Sequence, residues 1–143
     1  MAATSRCCLP GRRHRWMNLM SGRVLIVDDD PALLCGYRHA LGGMFEILTA
    51  ANGKEGLGLV RKHDFAAVVS DMRMPGIDGL QFLGLVRDLQ PQAVRILLSG
   101  FCVDTVKGSI NSGLIHGFVD KVRGFDALGH ELQAKLKTAA SSA

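Results

Sequence analysis

Hydrophobic and polar residues alternate along this chain in two kinds of block. Short, continuous apolar runs rich in valine, isoleucine and leucine are typical of strands that are buried on both faces. Between them lie segments with apolar residues at helical spacing, such as Leu33, Tyr37 and Leu41 after Pro31. Proline suits the first turn of a helix, where its missing N–H is not needed. The pattern therefore predicts strands and helices in strict alternation.

Short loops join the predicted segments, so consecutive strands are expected to run parallel, with helices covering both faces of one sheet. Right-handed crossovers then leave few topologies, and in such folds sites form beyond the carboxyl ends of the strands. We predict an α/β fold with five strands, at 24–27, 45–50, 65–70, 94–100 and 116–121. The five predicted helices cover 31–41, 53–63, 80–89, 103–112 and 125–138.

Charge is distributed unevenly along the 143 residues, which carry a formal net charge of +4. Five arginines precede the first acid, and the remaining chain has twelve basic and thirteen acidic residues, so the domain shows no basic nucleic-acid face. We interpret 1–22 as a disordered basic leader or a start placed too early, 23–138 as one domain, and 139–143 as a frayed tail. No apolar run approaches the roughly 20 residues that span a bilayer. The four cysteines contain no CxxC pair, which fits a reducing cytoplasm.

Acidic residues follow two of the predicted strands. Asp28, Asp29 and Asp30 come directly after the first strand, and Asp71 after the third. If these strands are neighbours, about 4.8 Å apart, their carboxylates converge and repel one another. A hard divalent cation resolves this repulsion, and Mg²⁺ prefers a few carboxylate oxygens. The crowding therefore predicts a magnesium site, although Asp30 alone is better explained as a helix cap.

Two further strand ends carry polar groups. Ser99 ends the fourth predicted strand with a hydroxyl, and Lys121 ends the fifth with an ammonium group. Either residue alone is typical of an ordinary turn or a solvated surface. Together with the carboxylates and a cation, they suit a phosphoryl group carried on a carboxylate, whose oxygens they would neutralise and hydrogen-bond.

The pattern VLIVDDD…VVSDMRMPGIDG…ILLSG…FVDK resembles the response-regulator receiver domain of two-component signalling, over essentially all of residues 23–138. The resemblance implies a flavodoxin-like sheet with strand order 2-1-3-4-5. It also implies that Asp71 is the phosphoacceptor, taking the phosphoryl group from a histidine kinase or a histidine phosphotransfer protein. Asp28 and Asp29 would then hold Mg²⁺, with the backbone carbonyl of Arg73 as a further ligand.

The same resemblance assigns the remaining site residues. Ser99 matches the switch hydroxyl, Lys121 the lysine of the family and Phe118 its switch aromatic residue. Phosphorylation would reshape the surface of the fourth helix, fifth strand and fifth helix, which would bind a downstream protein or output domain and could form a homodimer. By this resemblance the protein is a cytoplasmic signalling module rather than an enzyme, with at most self-catalysed phosphotransfer and autodephosphorylation.

One departure from the family pattern leaves an alternative open. Val122 follows Lys121 where the family usually has proline, often with a cis bond; a cis bond before valine would cost about 3 kcal/mol, so a trans bond and a different loop are expected. A pseudo-receiver that docks without phosphorylation is the alternative. A phosphatase using Asp71 is disfavoured because Arg73 stands where such enzymes place a second acid. Flavin binding is disfavoured because acids occupy the strand-end loops.

Overall fold

One sheet of five parallel strands forms the centre of the protein, in the order β2-β1-β3-β4-β5. The computed structural model describes residues 22–100, 108, 110 and 112–142. The α/β architecture and the strand order predicted from the sequence are confirmed. The strands are β1 Arg23–Val27, β2 Glu46–Ala50, β3 Ala67–Asp71, β4 Val94–Ser99 and β5 Gly117–Asp120.

Helices cover both faces of this sheet. A 3₁₀ turn, Lys121–Arg123, connects β5 to the last helix. The leader and most of the helix predicted at 103–112 lie outside the described residues, but Gly108 and Ile110 are helical. Among the described helices, none combines the length and apolarity needed to cross a bilayer. The helices are α1 Pro31–Leu41, α2 Gly53–Lys62, α3 Gly79–Leu89 and α4 Phe125–Ser142.

The two faces of the sheet carry separate hydrophobic cores. In β1, Val24 and Ile26 face the core formed with α1 and α4, whereas Leu25 and Val27 face the core formed with α2 and α3. This division follows from the strand geometry, because successive side chains point to opposite faces. All four side chains are fully buried, which explains why 24–27 contains no polar residue before the acids that follow.

Glycines in α2 allow α2 and α3 to pack closely. The sequence suggests that interior glycines weaken their helices. At Gly56, however, a Cβ atom would lie 2.9 Å from the Phe82 ring and 3.0 Å from Val27, and at Gly53 it would lie 2.5 Å from Ile77. The low helix propensity of glycine at these two positions is therefore offset by closer packing of α2. Gly58, in contrast, has open space around it.

The C-terminal helix is longer than the sequence pattern indicated. The sequence pattern predicts a helix that ends at Thr138, whereas α4 continues to Ser142. Ala139 and Ala140 explain the difference, because alanine has the highest helix propensity and needs no apolar partner to extend a helix.

A buried glutamine organises the loops at the amino ends of the strands. Gln90 follows α3, and its Oε1 accepts a hydrogen bond from the Phe65 N–H at 2.9 Å. Its Nε2 donates to the carbonyls of Val60 at 2.8 Å and His63 at 2.6 Å. Gln90 thereby satisfies backbone groups that the end of α2 and the approach to β3 leave unpaired.

Arg95, which is 3% exposed, also satisfies backbone groups of loops, on the other side of β4. Its backbone N–H donates to His116 Nδ1 at 2.9 Å. Its guanidinium donates to the backbone carbonyls of Pro91, Ala93, Gly113 and Leu114, at 2.8 to 3.1 Å. We call Gln90, Arg95 and the groups that they bind the amino-edge network. It fixes the loops that precede β3, β4 and β5.

Candidate functional site: an acidic cluster bridged by lysine

The carboxyl ends of β1, β3 and β5 lie at the edge of the sheet opposite the amino-edge network. Because β1 pairs directly with β3, with Val27 aligned to Ser70, the residues that follow them are neighbours. Asp28 comes directly after β1, Asp71 is the last residue of β3, and Lys121 comes directly after β5. We call Asp28, Asp29, Asp71 and Lys121 the acidic site.

Asp28 is completely buried, which is unusual for an aspartate. Its backbone N–H donates to the Ala50 carbonyl at 3.1 Å, extending the pairing of β1 with β2. The Asp30 N–H donates to Asp28 Oδ1 at 3.0 Å. Within the described residues, Asp28 Oδ2 accepts no well-formed hydrogen bond, and its neighbour is the Lys121 ammonium. One oxygen is thus held by the backbone, while the other faces the site.

Lys121 bridges the two buried acids. Its Nζ lies 3.0 Å from Asp28 Oδ2 and 3.1 Å from Asp71 Oδ1. Burial by itself would lower the pKa of Lys121, but the two carboxylates outweigh it, and the net pKa is raised. The ammonium therefore stays protonated and partly neutralises the two acids.

Asp71 is 6% exposed. Burial raises its pKa, the nearby Asp28 carboxylate raises it further, and the Lys121 ammonium opposes both effects. The Met72 N–H donates to the Leu98 carbonyl at 2.9 Å, which holds the chain against β4 just past the acid.

The chain reverses direction after Asp71 and returns to it at the start of α3. The Gly79 N–H donates to the Met72 carbonyl at 2.8 Å. A Cβ at Gly79 would collide with the Asp71 carbonyl oxygen, so only glycine fits there. Asp78 and Gln81 complete the turn as a capping box that begins α3. The backbone around Asp71 is therefore fixed from both sides.

The donor set fits a hard divalent cation. Carboxylate oxygens of Asp28, Asp29 and Asp71 lie within 4.8 Å of one another, and Asp29 is exposed while the other two are buried. The buried Asp28 Oδ2 and the exposed Asp29 carboxylate are oxygen ligands of the type that Mg²⁺ prefers, and the exposed side leaves room for water. Asp30 has another role: its side chain accepts the Ala32 N–H at 3.0 Å and caps α1, as expected.

The remaining predicted site residues lie around this cluster. Ser99, at the end of β4, is buried and aligned with Asp120 of β5. Phe118 is half-buried, is aligned with Leu97, and packs against the core shared with α2 and α3. Arg73 is exposed in the loop between Asp71 and α3. Ser99 lies at the strand end predicted for it, whereas the roles of all three residues stay predictions.

Two features near the site were not anticipated in detail. Lys121 begins a 3₁₀ turn instead of ending the strand, and the described chain contains no cis peptide bond, so the link to Val122 is trans as expected. Tyr37 of α1 is the second feature. Burial raises its pKa, and the charge of Asp28 raises it further, so the Tyr37 hydroxyl is within electrostatic range of the acidic site. In the sequence, Tyr37 is only one apolar position of a helix, which gave no signal of this proximity.

A family of known proteins shares this arrangement. The family described as response regulator receiver domain matches residues 24–133. The hydrogenase transcriptional regulatory protein HoxA of Cupriavidus necator is 31% identical over 99 residues, which are 68% of this chain and 20% of HoxA. The transcriptional regulatory protein GlrR of Escherichia coli K12 is 31% identical over 128 residues, 87% of this chain and 28% of GlrR. The chain thus spans less than a third of these relatives.

Solved structures show the same fold. A CheY-like response regulator receiver domain protein from Methanospirillum hungatei has a TM-score of 0.78 and 26% identity, covering 85% of this chain and 98% of that one. The response regulator TrrA of Thermotoga maritima, solved in complex with Mg²⁺ and BeF, has a TM-score of 0.69 and 32% identity, covering 80% and 97%.

Proposed function

The chain belongs to the response-regulator receiver family, and we propose that Asp71 is its phosphoacceptor. The observation that carries this proposal is the Lys121 ammonium, which lies within 3.1 Å of both Asp28 and Asp71 at the carboxyl edge of the sheet. A receiver domain is a signalling module, so the acidic site is proposed to accept a phosphoryl group rather than to turn over a substrate.

The lysine bridge favours Asp71 over its acidic neighbours as the acceptor. Asp28 is completely buried and has one oxygen bound to the backbone, so it cannot reach an incoming group. Asp29 is exposed and lacks the ion pair that Asp71 makes with Lys121. Asp71 combines a defined position with the neighbouring Lys121 ammonium, which can bind the transferred phosphoryl oxygens.

The transfer itself needs no other nucleophile. In the proposed step, a carboxylate oxygen of Asp71 attacks the phosphorus of a phosphohistidine on a histidine kinase or a histidine phosphotransfer protein. The phosphorus–nitrogen bond breaks as the oxygen–phosphorus bond forms, and the imidazole nitrogen keeps the electron pair. Lys121 loses part of its contact with Asp71 and gains contact with the phosphoryl oxygens. Hydrolysis of the acyl phosphate by water restores the carboxylate.

Magnesium is the proposed cofactor of this step. Asp28, Asp29, Asp71 and the backbone carbonyl of Arg73 would hold the ion; the three carboxylates already lie close together. When bound, Mg²⁺ supplies positive charge that offsets the crowded acids and the phosphoryl oxygens. Lys121 supplies further positive charge beside Asp71.

Phosphorylation is proposed to change the protein surface through Ser99 and Phe118. The phosphoryl group adds negative charge and three acceptor oxygens beside the buried end of β4, which the Ser99 hydroxyl can approach. Phe118 is half-buried, so it has room to change its packing. The surface affected would include β5, α4 and the helix predicted at 103–112, shifting an existing equilibrium.

This surface is the proposed binding site for a downstream protein, for an output domain or for a second copy of the chain. The relatives HoxA and GlrR are transcriptional regulators much longer than the matched region. We propose that residues 23–138 form the working receiver unit in a bacterial-type phosphorelay in the cytoplasm. The domain itself is not proposed to bind nucleic acid.

Phosphorylation of the purified protein tests the proposal. Incubation with Mg²⁺ and acetyl phosphate should produce an acid-labile adduct on the wild-type protein, seen by intact-mass analysis as the mass of one phosphoryl group. Asp71→Asn should abolish the adduct. Asp88→Asn, which removes an exposed carboxylate on α3, is the matched control and should label like the wild type.

Labelling that survives Asp71→Asn would contradict the proposed acceptor. Absence of any adduct in the wild type, together with no response to beryllofluoride, would instead favour the pseudo-receiver alternative. The observation on its side is that Val122 stands where the family usually has proline; Lys121 begins a 3₁₀ turn, and its link to Val122 is trans.

A further inference from the structure

Lys121 is held by a connection that has no proline to stiffen it. The 3₁₀ turn Lys121–Arg123 and Gly124, whose φ is +87°, lead directly into α4. The Lys121 ammonium nevertheless lies within 3.1 Å of the Asp28 and Asp71 carboxylates. Some other contact has to fix this turn, because a loosely held lysine would lose both ion pairs.

Phe125, the first residue of α4, makes such a contact. Its ring packs on the backbone of α1 at Gly36, where a Cβ would lie 2.8 Å from Cε2, 3.0 Å from Cε1 and closer still to Cζ. It also contacts Tyr37 edge to face, with ring centroids 4.8 Å apart and an interplanar angle of 75°. The ring is therefore confined on two sides by one helix.

This helix is also attached to the acidic site. α1 begins at Pro31, directly after the Asp30 cap, and the Asp30 N–H holds Asp28 Oδ1. Phe125 therefore connects the turn that carries Lys121 to the same helix that follows Asp28. Only three residues lie between Lys121 and Phe125 in sequence, so a shift of the ring is expected to move the turn that carries the ammonium.

We infer that Phe125, seated against Gly36 and Tyr37, is a positioning residue that places the Lys121 ammonium between Asp28 and Asp71. The inference rests on the proposed function, since Lys121 matters to phosphorylation only if Asp71 is the acceptor. Positioning in advance lowers the cost of ordering the turn when a phosphoryl group arrives, and small displacements of a binding group reduce rates strongly. Here the aromatic contact performs the stiffening that a proline would otherwise provide.

The first test compares Phe125→Ala with Leu132→Ala. Leu132 is a fully buried residue of the same helix and the same core, remote from the turn. With Mg²⁺ held constant, beryllofluoride is titrated as a mimic of the phosphoryl group, and binding is followed by amide NMR. Phe125→Ala should weaken beryllofluoride binding about ten-fold, whereas Leu132→Ala should change it less than about two-fold in the folded fraction.

A metal-free measurement separates positioning from general loosening of the fold. In the wild type, the Lys121 Nζ signal in ¹⁵N NMR should be protected from exchange by its two carboxylate partners. Phe125→Ala should remove this protection while Leu132→Ala keeps it. Magnesium affinity should be the same in both variants, because the cation ligands are not on α4.

Reciprocal substitutions provide the decisive comparison. Gly36→Ala places a methyl group against the Phe125 ring and should weaken beryllofluoride binding. Phe125→Leu shortens that side chain, so the double variant should regain affinity relative to Gly36→Ala alone. Equal losses in Phe125→Ala and Leu132→Ala, or no recovery in the double variant, would overturn the inference. Failure of the wild type to bind beryllofluoride would overturn the proposed function instead.

Discussion

Polar groups are buried at both edges of the sheet, but they are satisfied in opposite ways. At the amino edge, Gln90 and Arg95 meet backbone carbonyls and amides at hydrogen-bonding distances. At the carboxyl edge, Asp28 and Asp71 share a single ammonium, and Asp28 Oδ2 accepts no well-formed hydrogen bond among the described residues. The Gln90 and Arg95 side chains at the first edge are satisfied as they stand, whereas the acidic site at the second has negative charge available for a ligand.

This difference separates the parts of the molecule that hold its shape from the parts that react. A satisfied buried network stabilises one conformation, and removing a member leaves uncompensated partners. A crowded acidic cluster costs stability in the absence of its ligand and recovers it on binding. Removing a member of the amino-edge network should therefore lower the free energy of unfolding, whereas neutralising Asp71 should raise it when no ligand is bound.

The largest effect is expected at the amino edge. Arg95→Met should lower the free energy of unfolding by about 3 kcal/mol, because four backbone carbonyls lose a charged donor in a buried position. Urea unfolding measures the loss. Arg87→Met removes an exposed arginine from α3 and should stay within about 0.5 kcal/mol of the wild type. A similar result for both variants would remove the structural role of Arg95.

A smaller loss is expected where the backbone approaches the acidic site. Gly79→Ala should destabilise the protein by about 2 kcal/mol, because the new Cβ meets the fixed backbone of Asp71 and Met72. It should also slow labelling by acetyl phosphate, since Asp71 has to move. Gly58→Ala, with open space around its Cβ, should be neutral or slightly stabilising in the same unfolding assay.

Substitutions of Asp29 and Asp30, the adjacent acids after β1, should distinguish helix capping from ion binding. Asp30→Ala should lower stability by about 1 kcal/mol through loss of the α1 cap, and it should leave Mg²⁺ affinity unchanged in calorimetry. Asp29→Ala should weaken Mg²⁺ binding and leave the free energy of unfolding close to that of the wild type. If Asp30→Ala weakened Mg²⁺ binding as strongly as Asp29→Ala, the assignment of distinct roles would be wrong.

The smallest effect is a gain in stability at the carboxyl edge. Because the folded-state pKa of Asp71 is raised, by burial first and by Asp28 second, the wild type loses stability as the pH rises through that value. Without Mg²⁺, Asp71→Asn should therefore be more stable than the wild type at neutral pH, and the difference should vanish in acid, where Asp71 is protonated in both folded and unfolded states.

Thermal unfolding between acidic and neutral pH measures this difference. Saturating Mg²⁺ should reverse the order of the two proteins, because the ion stabilises the form that binds it more tightly. A wild type that stays less stable than Asp71→Asn in saturating Mg²⁺ would contradict the proposed ion site.

Much of the fold and of the acidic site could be predicted because both depend on short local signals. Apolar runs such as 24–27 specify buried strands, and an acid directly after each run is carried to the carboxyl edge by the parallel topology. The helix cap at Asp30 has an equally local signal, since proline follows it.

Contacts between distant segments could not be predicted in this way. Nothing near Arg95 indicates that two of its guanidinium's partners are the carbonyls of Gly113 and Leu114, and nothing near Gly36 indicates an aromatic ring from residue 125. The end of α4 was missed for a different reason: the apolar periodicity ends before the helix does, and the alanines that continue it leave no amphipathic trace.

The amino-edge network affects which positions of this sequence can tolerate substitution. The side chains of Gln90 and Arg95 bind main-chain atoms, which every residue type carries, so these hydrogen bonds do not constrain the side chain of an exposed partner. Saturation mutagenesis scored by abundance should find the exposed Pro91 permissive, with Gln90 and Arg95 intolerant. Gly113 is the exception among the partners, since its φ of +82° excludes most other residues.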